Sequence, residues 1–292
     1  MKLDYKIFWI EDDEMWMKSI KNKIESFIER KGYVPIIKNT PNADPSILYE
    51  NARDSDLILV DYVLKGFSNN GDIFIEEFRN NKIYTNIVFY SSNYDEIKTK
   101  ITENELKGTY FFDRNDFGPS LIETSLFELI DFFLNRDADI NSLRGIAMAE
   151  VASFDKKIGN IIFCEKHKSK IIKKVREKTN KRCQDLSKKS EDKIWEKLQT
   201  KDSTILLDSK TRADFLSEEI LKDFCRSCDK NKKPTCYNVF INDYSKEIIE
   251  QRNKLAHQIE NAEIDELAFR KSLIKFRELL KEISSCSKII DL

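Results

Sequence analysis

The chain has 292 residues, of which 40% are hydrophobic, and this length suits two domains, each with its own core. Its 50 basic and 51 acidic residues nearly cancel, so no global positive field attracts nucleic acid. No apolar run reaches the roughly 18 residues of a membrane span, and we expect no membrane segment.

Residues 1–135 alternate short apolar runs with amphipathic segments, which predicts a doubly wound parallel α/β sheet with helices on both faces. The apolar runs are continuous, as is typical of strands buried on both faces. Pro35 indicates that the second strand lies at an edge of the sheet. The predicted strands are Lys6–Ile10, Val34–Ile37, Leu57–Val60, Ile87–Tyr90 and Thr109–Phe112, and the predicted helices are Met15–Lys31, Ser46–Asn51, Asp72–Asn80 and Ser120–Leu134.

From about Asp137 the strand signal gives way to helical spacing with exposed Lys and Glu. Residues 136–292 are therefore predicted to form a separate all-α bundle. The predicted helices are Ser142–Phe154, Lys156–Lys178, Lys181–Leu198, Ala213–Arg226, Ile241–Ala256 and Glu263–Ser284. The nearly uncharged segment Leu143–Phe154 is open to three interpretations: a hinge helix between the domains, a subunit contact or a buried core helix.

Acidic side chains follow the strands of the first domain. Glu11 and Asp12 follow the first strand, Asp61 follows the third and Ser91 the fourth. Since ligands of such sheets lie beyond the carboxyl ends of the strands, these groups should converge there. Three carboxylates so placed suit Mg²⁺. Asp61 could then attack phosphorus as a nucleophile, and the Ser91 hydroxyl could hydrogen-bond a phosphoryl oxygen.

The segments IFWIEDD, DLILVDYVLKG and IVFYSSN resemble, in order and spacing, the motifs of response-regulator receiver domains, which have a flavodoxin-like fold. The resemblance implies that Glu11 and Asp12 are the Mg²⁺-binding acidic pair and that Asp61 is the phosphoacceptor and a metal ligand. It also implies that Val63 is a backbone carbonyl ligand, that Ser91 is the switch hydroxyl, and that a sensor histidine kinase or another phosphodonor is the partner.

Two positions depart from the receiver pattern. Lys65 stands where the family usually has Pro, and TYFFDRND lacks the Lys that follows the family's fifth strand. Either Asp113 occupies the position of that Lys, or Arg114 does with a shift of one residue. Arg pairs with phosphate but is not interchangeable with Lys. Tyr110 or Phe111 would be the switch aromatic, depending on the shift.

The run RNKLAH of the second domain places Arg252 and His257 about 140° apart on a helix. This separation suits a pocket across a helix end or between two subunits. A neutral imidazole can exchange the proton of a 2′-hydroxyl or of a leaving 5′-oxygen, while a guanidinium clamps the phosphate. Such a pair could cleave RNA without a metal.

RNKLAH resembles the R-x4-H motif of HEPN domains, which are helical bundles and in many cases dimeric ribonucleases. The resemblance implies that Arg252 and His257 are catalytic and that Asn253 supports them. It also implies an RNA substrate, a homodimer, and a toxin or antiviral defence role. A basic segment, HKSKIIKKVREKTNKR at residues 167–182, is either an RNA contact or a solvated helix face.

The N-terminal segment MKLDYKIFWIEDD turns acidic after one apolar run, unlike a secretory signal. We therefore expect a cytoplasmic protein whose six cysteines are reduced thiols. We favour this interpretation over zinc binding, because the CxxC motif formed by Cys225 and Cys228 lies in or at the end of a predicted helix and not on turns. The zinc candidates are Cys164, His167, Cys225, Cys228 and Cys236.

These features together predict a response regulator whose receiver domain controls a metal-independent endoribonuclease of HEPN type. The alternative is a non-catalytic signalling protein with a receiver docking module and a helical dimerisation or adaptor domain.

Overall fold

The protein divides into two compact units, one spanning Lys2–Asp139 and a second that includes Ile140–Leu292. The predicted domain boundary after residue 135 falls a few residues before this division. The computed structural model describes residues 3–39, 45–65, 70–91, 109–113, 121–136, 140–179, 189–200, 207–221, 240–256 and 264–285.

The first unit contains a five-stranded sheet with the order β2-β1-β3-β4-β5, and all four strand pairings are parallel. The predicted parallel sheet is thus confirmed. The strands are β1 (Asp4–Ile10), β2 (Val34–Asn39), β3 (Leu57–Asp61), β4 (Asn86–Ser91) and β5 (Thr109–Asp113). Strand β2 lies at an edge, as its proline predicts. The Val34 N–H donates to the Leu3 carbonyl on the β1 side at 2.9 Å, so Pro35, the next residue, turns its nitrogen away from β1.

Helices cover both faces of this sheet, which explains the continuous apolar runs. On one face, alternate strand residues such as Phe8 and Val60 pack with Leu48 and Phe74 of two helices. On the other face, Trp9, Leu59 and Tyr90 pack with residues of the remaining two helices. The helices of this unit are α1 (Glu14–Arg30), α2 (Pro45–Arg53), α3 (Gly71–Asn80) and α4 (Leu121–Arg136).

The described part of the second unit is entirely helical. Its helices are α5 (Ile140–Ile162), a 3₁₀ turn (Glu165–His167), α6 (Lys168–Thr179), α7 (Glu191–Leu198), α8 (Ser209–Phe215) with a π-helical extension (Leu216–Leu221), a π-helical segment (Phe240–Glu250) that continues into α9 (Gln251–Ala256), and α10 (Glu266–Ser285). The predicted loop at residues 229–235 lies outside the described residues.

The predicted helix break after Phe154 is wrong. Helix α5 continues to Ile162 because Phe154, Ile158 and Ile162, each four residues apart, form one fully buried stripe. The upstream segment of α5 is also buried, at Leu143, Ile146, Ala147 and Val151. Of the three interpretations of residues 143–154, this burial favours the core helix.

Capping residues shift three other helix starts from their predicted positions. Ser190 has extended backbone before α7, so the helix predicted from Lys181 does not run through it. The Asp208 side chain accepts from the Thr211 N–H at 2.8 Å and begins α8 four residues early. Asp265 accepts from the Ala268 N–H at 2.9 Å, so α10 begins three residues late.

Candidate functional site

Three of the predicted metal ligands come together beyond the carboxyl ends of β1 and β3. One carboxylate oxygen each of Glu11, Asp12 and Asp61 lies within 4.8 Å of the other two. The cause is the parallel register, which pairs Ile10 with Val60 and brings the residues that follow them side by side. Glu11 and Asp61 are each only 1% exposed, whereas Asp12 is half-buried. We call these three residues the carboxylate cluster.

The start of α1 holds the first part of the cluster in place. The Asp13 side chain accepts from the Trp16 N–H at 3.0 Å and caps the helix. The Asp13 N–H in turn donates to Oε1 of Glu11 at 2.8 Å. The chain therefore passes from strand to helix within three residues, and Glu11 and Asp12 occupy that short passage.

The backbone after β3 is fixed just as closely. The Tyr62 N–H donates to the Tyr90 carbonyl at 2.8 Å, and the Gly71 N–H donates to the Tyr62 carbonyl at 2.9 Å. The Val63 N–H approaches Oδ1 of Asp61 at 3.3 Å. Val63, the predicted carbonyl ligand, is 38% exposed and lies two residues after Asp61.

Ser91 ends β4 and is fully buried. It lies one residue beyond Tyr90, the register partner of Asp61, and its own partner on β5 is Asp113. The predicted switch hydroxyl is therefore on the strand next to the proposed phosphoacceptor. Arg114 lies outside the described residues, so the choice between Asp113 and Arg114 stays open.

Sequence reasoning missed a fully buried tyrosine at this site. Tyr90 donates from its hydroxyl to Oε2 of Glu11 at 2.8 Å and accepts from the Trp9 indole N–H at 2.6 Å. Burial raises the pKa of Tyr90 well above its ordinary value, and the charges of Glu11 and Asp61 raise it further, so the phenol keeps its proton. The sequence did indicate a partner for Tyr90, because a tyrosine in a buried apolar strand needs a polar group to hydrogen-bond its hydroxyl.

The cluster has the ligand chemistry that Mg²⁺ requires. It offers three carboxylates in a small, mostly buried space, and hard oxygen ligands suit this ion. Without a cation, like charges this close repel one another. Among the described residues, no other group of three or more His, Cys, Asp or Glu side chains meets the geometry of a metal site.

Mg²⁺ should accordingly stabilise the protein. At a free Mg²⁺ concentration about 100 times the dissociation constant, we expect about 2.7 kcal/mol of added stability. Thermal unfolding with Mg²⁺, compared with NaCl of equal ionic strength, measures this gain. Asp12→Asn should lose it without being less stable in EDTA, because the substitution removes a repelling charge. A wild-type midpoint that does not respond to Mg²⁺ would contradict the assignment.

Gly71, the first residue of α3, permits the close packing of this helix against Asp61. A Cβ at Gly71 would overlap the Asp61 carbonyl oxygen and lie 2.8 Å from Cγ1 of Val60. Because the first of these contacts is with backbone, we expect Gly71→Ala to cost about 3 kcal/mol in free energy of unfolding.

A matched substitution elsewhere separates this steric effect from a general effect of alanine. Gly145 lies in α5, where a Cβ would meet nothing within 4 Å. Gly145→Ala should stabilise the protein by about 0.5–1 kcal/mol, the usual gain inside a helix. Denaturant unfolding of both variants gives the comparison, and equal effects would show that the approach to Asp61 is not tight.

The second candidate site lies in the helical unit and is only partly described. Arg252 is half-buried in α9 and Asn253 is exposed, whereas His257 lies outside the described residues. The Nε of Arg252 is buried without a hydrogen-bond partner among the described residues. Helix α9 is tied to α5 by a hydrogen bond of 2.6 Å from Arg144 Nε to the Leu255 carbonyl.

Arg252 lies close enough to Asp155 for its positive charge to act on that carboxyl. Burial raises the pKa of Asp155, while a hydrogen bond from Ser209 and the positive charges of Arg212 and Arg252 oppose that rise. Ser209 donates to Oδ2 of Asp155 at 2.6 Å, and Arg212 reaches the Asp155 carbonyl at 3.3 Å. Sequence reasoning found Arg252 but not these neighbours, which lie 40 or more residues away in the chain.

Ion pairs within the same unit offset part of the positive charge of the basic helix α6. Four of its cations lie within 4 Å of a carboxylate on α7 or on the π-helical extension of α8. The pairs are Lys168–Asp192 (3.2 Å), Lys170–Glu219 (3.5 Å), Lys174–Glu218 (3.7 Å) and Arg176–Glu191 (3.3 Å). Of the two interpretations of this segment, the pairs favour the solvated helix face.

Most of the proposed zinc ligands, namely Cys225, Cys228 and Cys236, lie outside the described residues. Cys164 is a half-buried free thiol before the 3₁₀ turn that contains His167. Burial lowers the pKa of His167, and the charges of Lys166 and Lys170 lower it further.

The chain matches no protein-family model, and no curated protein shows significant similarity to it. In the described part of the chain, no helix is both long enough and apolar enough to cross a membrane.

Proposed function

We propose that the first unit is a receiver-type phosphoacceptor module in which Asp61 accepts a phosphoryl group with the help of Mg²⁺. The observation that carries this proposal is the carboxylate cluster. The strand order β2-β1-β3-β4-β5 supports it too, because this is the order of flavodoxin-like doubly wound folds, which bind ligands at this end of the sheet.

In this proposal the residues of the chain have distinct tasks. Glu11, Asp12 and Asp61 hold the cation, with the Val63 carbonyl as the further ligand that the family resemblance implies. The cation, when bound, draws negative charge from the incoming phosphoryl group. An oxygen of Asp61 forms the new bond to phosphorus as the bond to the donor breaks, and the donor leaves with that electron pair. Ser91 then hydrogen-bonds a phosphoryl oxygen.

The direct experiment is intact-mass measurement of the full chain after treatment with acetyl phosphate. We expect one added phosphoryl group in the presence of Mg²⁺ and none in EDTA. No addition with Mg²⁺, by either acetyl phosphate or phosphoramidate, would overturn the phosphoacceptor proposal.

We further propose that this module controls the second unit, and that the second unit is an endoribonuclease with Arg252 and His257 at its site. The support is the RNKLAH motif in a unit whose described part contains helices and no strands, together with the half-buried position of Arg252. In RNA cleavage the 2′-oxygen attacks phosphorus and the 5′-oxygen leaves. The 2′-hydroxyl loses a proton and the leaving 5′-oxygen gains one; His257 carries out one of these transfers and water the other. Arg252 pairs with the phosphate, with Asn253 supporting them.

A second candidate function is a non-catalytic signalling protein whose helical unit serves dimerisation or adaptor contacts. The ion pairs of α6 favour it, because they leave fewer cations for phosphate binding. RNA cleavage by the wild-type protein, tested with and without prior phosphorylation, discriminates the two. We also propose that the protein is cytoplasmic, forms a homodimer, and acts in antiviral defence or as a toxin.

A further inference from the structure

The carboxylate of Glu11 is held at both of its oxygens. Oε1 accepts from the Asp13 N–H at 2.8 Å, and Oε2 accepts from the Tyr90 hydroxyl at 2.8 Å. A carboxylate has about four lone-pair sites, so these two hydrogen bonds do not by themselves exhaust its capacity to bind a cation. The two hydrogen bonds thus fix the orientation of the carboxylate and still allow it to bind a metal ion.

The direction of the hydrogen bond from Tyr90 is also fixed. The Trp9 indole N–H is a donor only, and it points at the Tyr90 oxygen at 2.6 Å. The Tyr90 hydroxyl must accept there, so its own proton is available for Glu11, which is an acceptor when ionised. The result is a one-way chain of hydrogen bonds from Trp9 through Tyr90 to Glu11.

The aromatic rings around this chain hold it rigidly. The Trp16 ring lies 5.1 Å from the Tyr90 ring and 5.8 Å from the Trp9 ring, measured between centroids, and meets Trp9 edge-on. Trp9 and Tyr90 are at most 2% exposed. Both side chains belong to the core on that face of the sheet, so turning either one away from the cluster would disturb its packing.

We propose that Tyr90, oriented by Trp9, is a positioning residue that sets the Mg²⁺ affinity of the carboxylate cluster through Glu11. The inference rests on the proposed cation site and adds to it a second layer of residues. Groups that hydrogen-bond a metal-binding side chain commonly change metal affinity by about 10–100-fold when they are removed.

The test is Mg²⁺ titration of the full chain by isothermal calorimetry, using Tyr90→Phe, which keeps the ring and removes only the hydroxyl. We expect the dissociation constant to rise about 10-fold or more. Trp9→Phe should give a smaller rise, because it leaves the hydroxyl in place but removes its orienting donor. The matched control is Tyr49→Phe, which removes another tyrosine–glutamate hydrogen bond, 3.3 Å to Glu77, within the same unit.

A second measurement excludes a purely structural effect. If Tyr90 acts through the cation site, saturating Mg²⁺ should restore the rate at which Tyr90→Phe is phosphorylated by acetyl phosphate. Because Mg²⁺ also stabilises the fold, the rates are compared well below the unfolding midpoints of both proteins in EDTA. There a variant that is merely less stable stays folded and reacts like the wild type even at low Mg²⁺. An unchanged Mg²⁺ affinity in Tyr90→Phe, or the same loss in Tyr49→Phe, overturns the inference while the phosphoacceptor proposal stands. A wild-type protein that binds no Mg²⁺ overturns both.

Discussion

Asp61→Asn is expected to abolish phosphorylation of the protein by acetyl phosphate in the presence of Mg²⁺. The substitution keeps the shape of the side chain but removes the anionic oxygen that attacks phosphorus. It also takes one carboxylate from a cluster whose three oxygens lie within 4.8 Å of one another. Both changes act on the same step, so the mass increase seen with the wild type should be absent.

The control for this variant is Asp54→Asn in the same unit. Asp54 forms an ion pair of 2.6 Å with Lys6 and is not part of the carboxylate cluster. The Asp54→Asn variant should therefore be phosphorylated to the same extent as the wild type. If Asp61→Asn still gains one phosphoryl group, and peptide mapping finds the group of the wild-type protein on that same residue and not on Asp61, the assignment of the phosphoacceptor is wrong.

His257→Ala is expected to reduce RNA cleavage by about 10²–10⁴-fold, the usual contribution of a general acid or base. The imidazole is the group of the RNKLAH motif that can move a proton near neutral pH. Cleavage of a fluorescently labelled RNA by the full chain, with and without prior phosphorylation, measures the loss. Arg252→Ala should also lose most of the activity, since it removes the partner of the phosphate.

The chain contains its own control for this experiment, because it has only one other histidine. His167→Ala should cleave at the wild-type rate, since His167 lies in the turn between α5 and α6 and not in the motif. Equal activity in the wild type and His257→Ala would rule out the proposed ribonuclease site. A wild type that is inactive in every phosphorylation state would do the same and would favour the adaptor function.

The sheet and its acidic edge could be predicted because both depend on short-range patterns. The inner strands β1, β3 and β4 are mostly buried apolar runs, and parallel strands place their carboxyl ends at one edge of the sheet. Glu11 and Asp61 come at the ends of two such runs, and they are neighbours because β1 and β3 are adjacent in the sheet. Pro35 likewise marked its strand as an edge, because it cannot donate a hydrogen bond.

The features that could not be predicted depend on contacts between residues that are distant in the chain. The hydrogen bond between Tyr90 and Glu11 joins residues 79 apart, and helical or strand periodicity contains no information about it. The ion pairs of α6 depend on how α7 and α8 pack beside it. The predicted break after Phe154 is wrong because the buried stripe of α5 continues past Asp155 and the lysines after it, through Ile158.

The edge strand β2 bears on how this protein could associate with itself. Among the described residues no strand pairs with the outer side of β2, and that side presents Pro35, which has no N–H to donate. Lys38 of the same strand is exposed. A proline and a lysine on an edge strand both oppose the addition of another strand, so two copies are hindered from joining their sheets along β2.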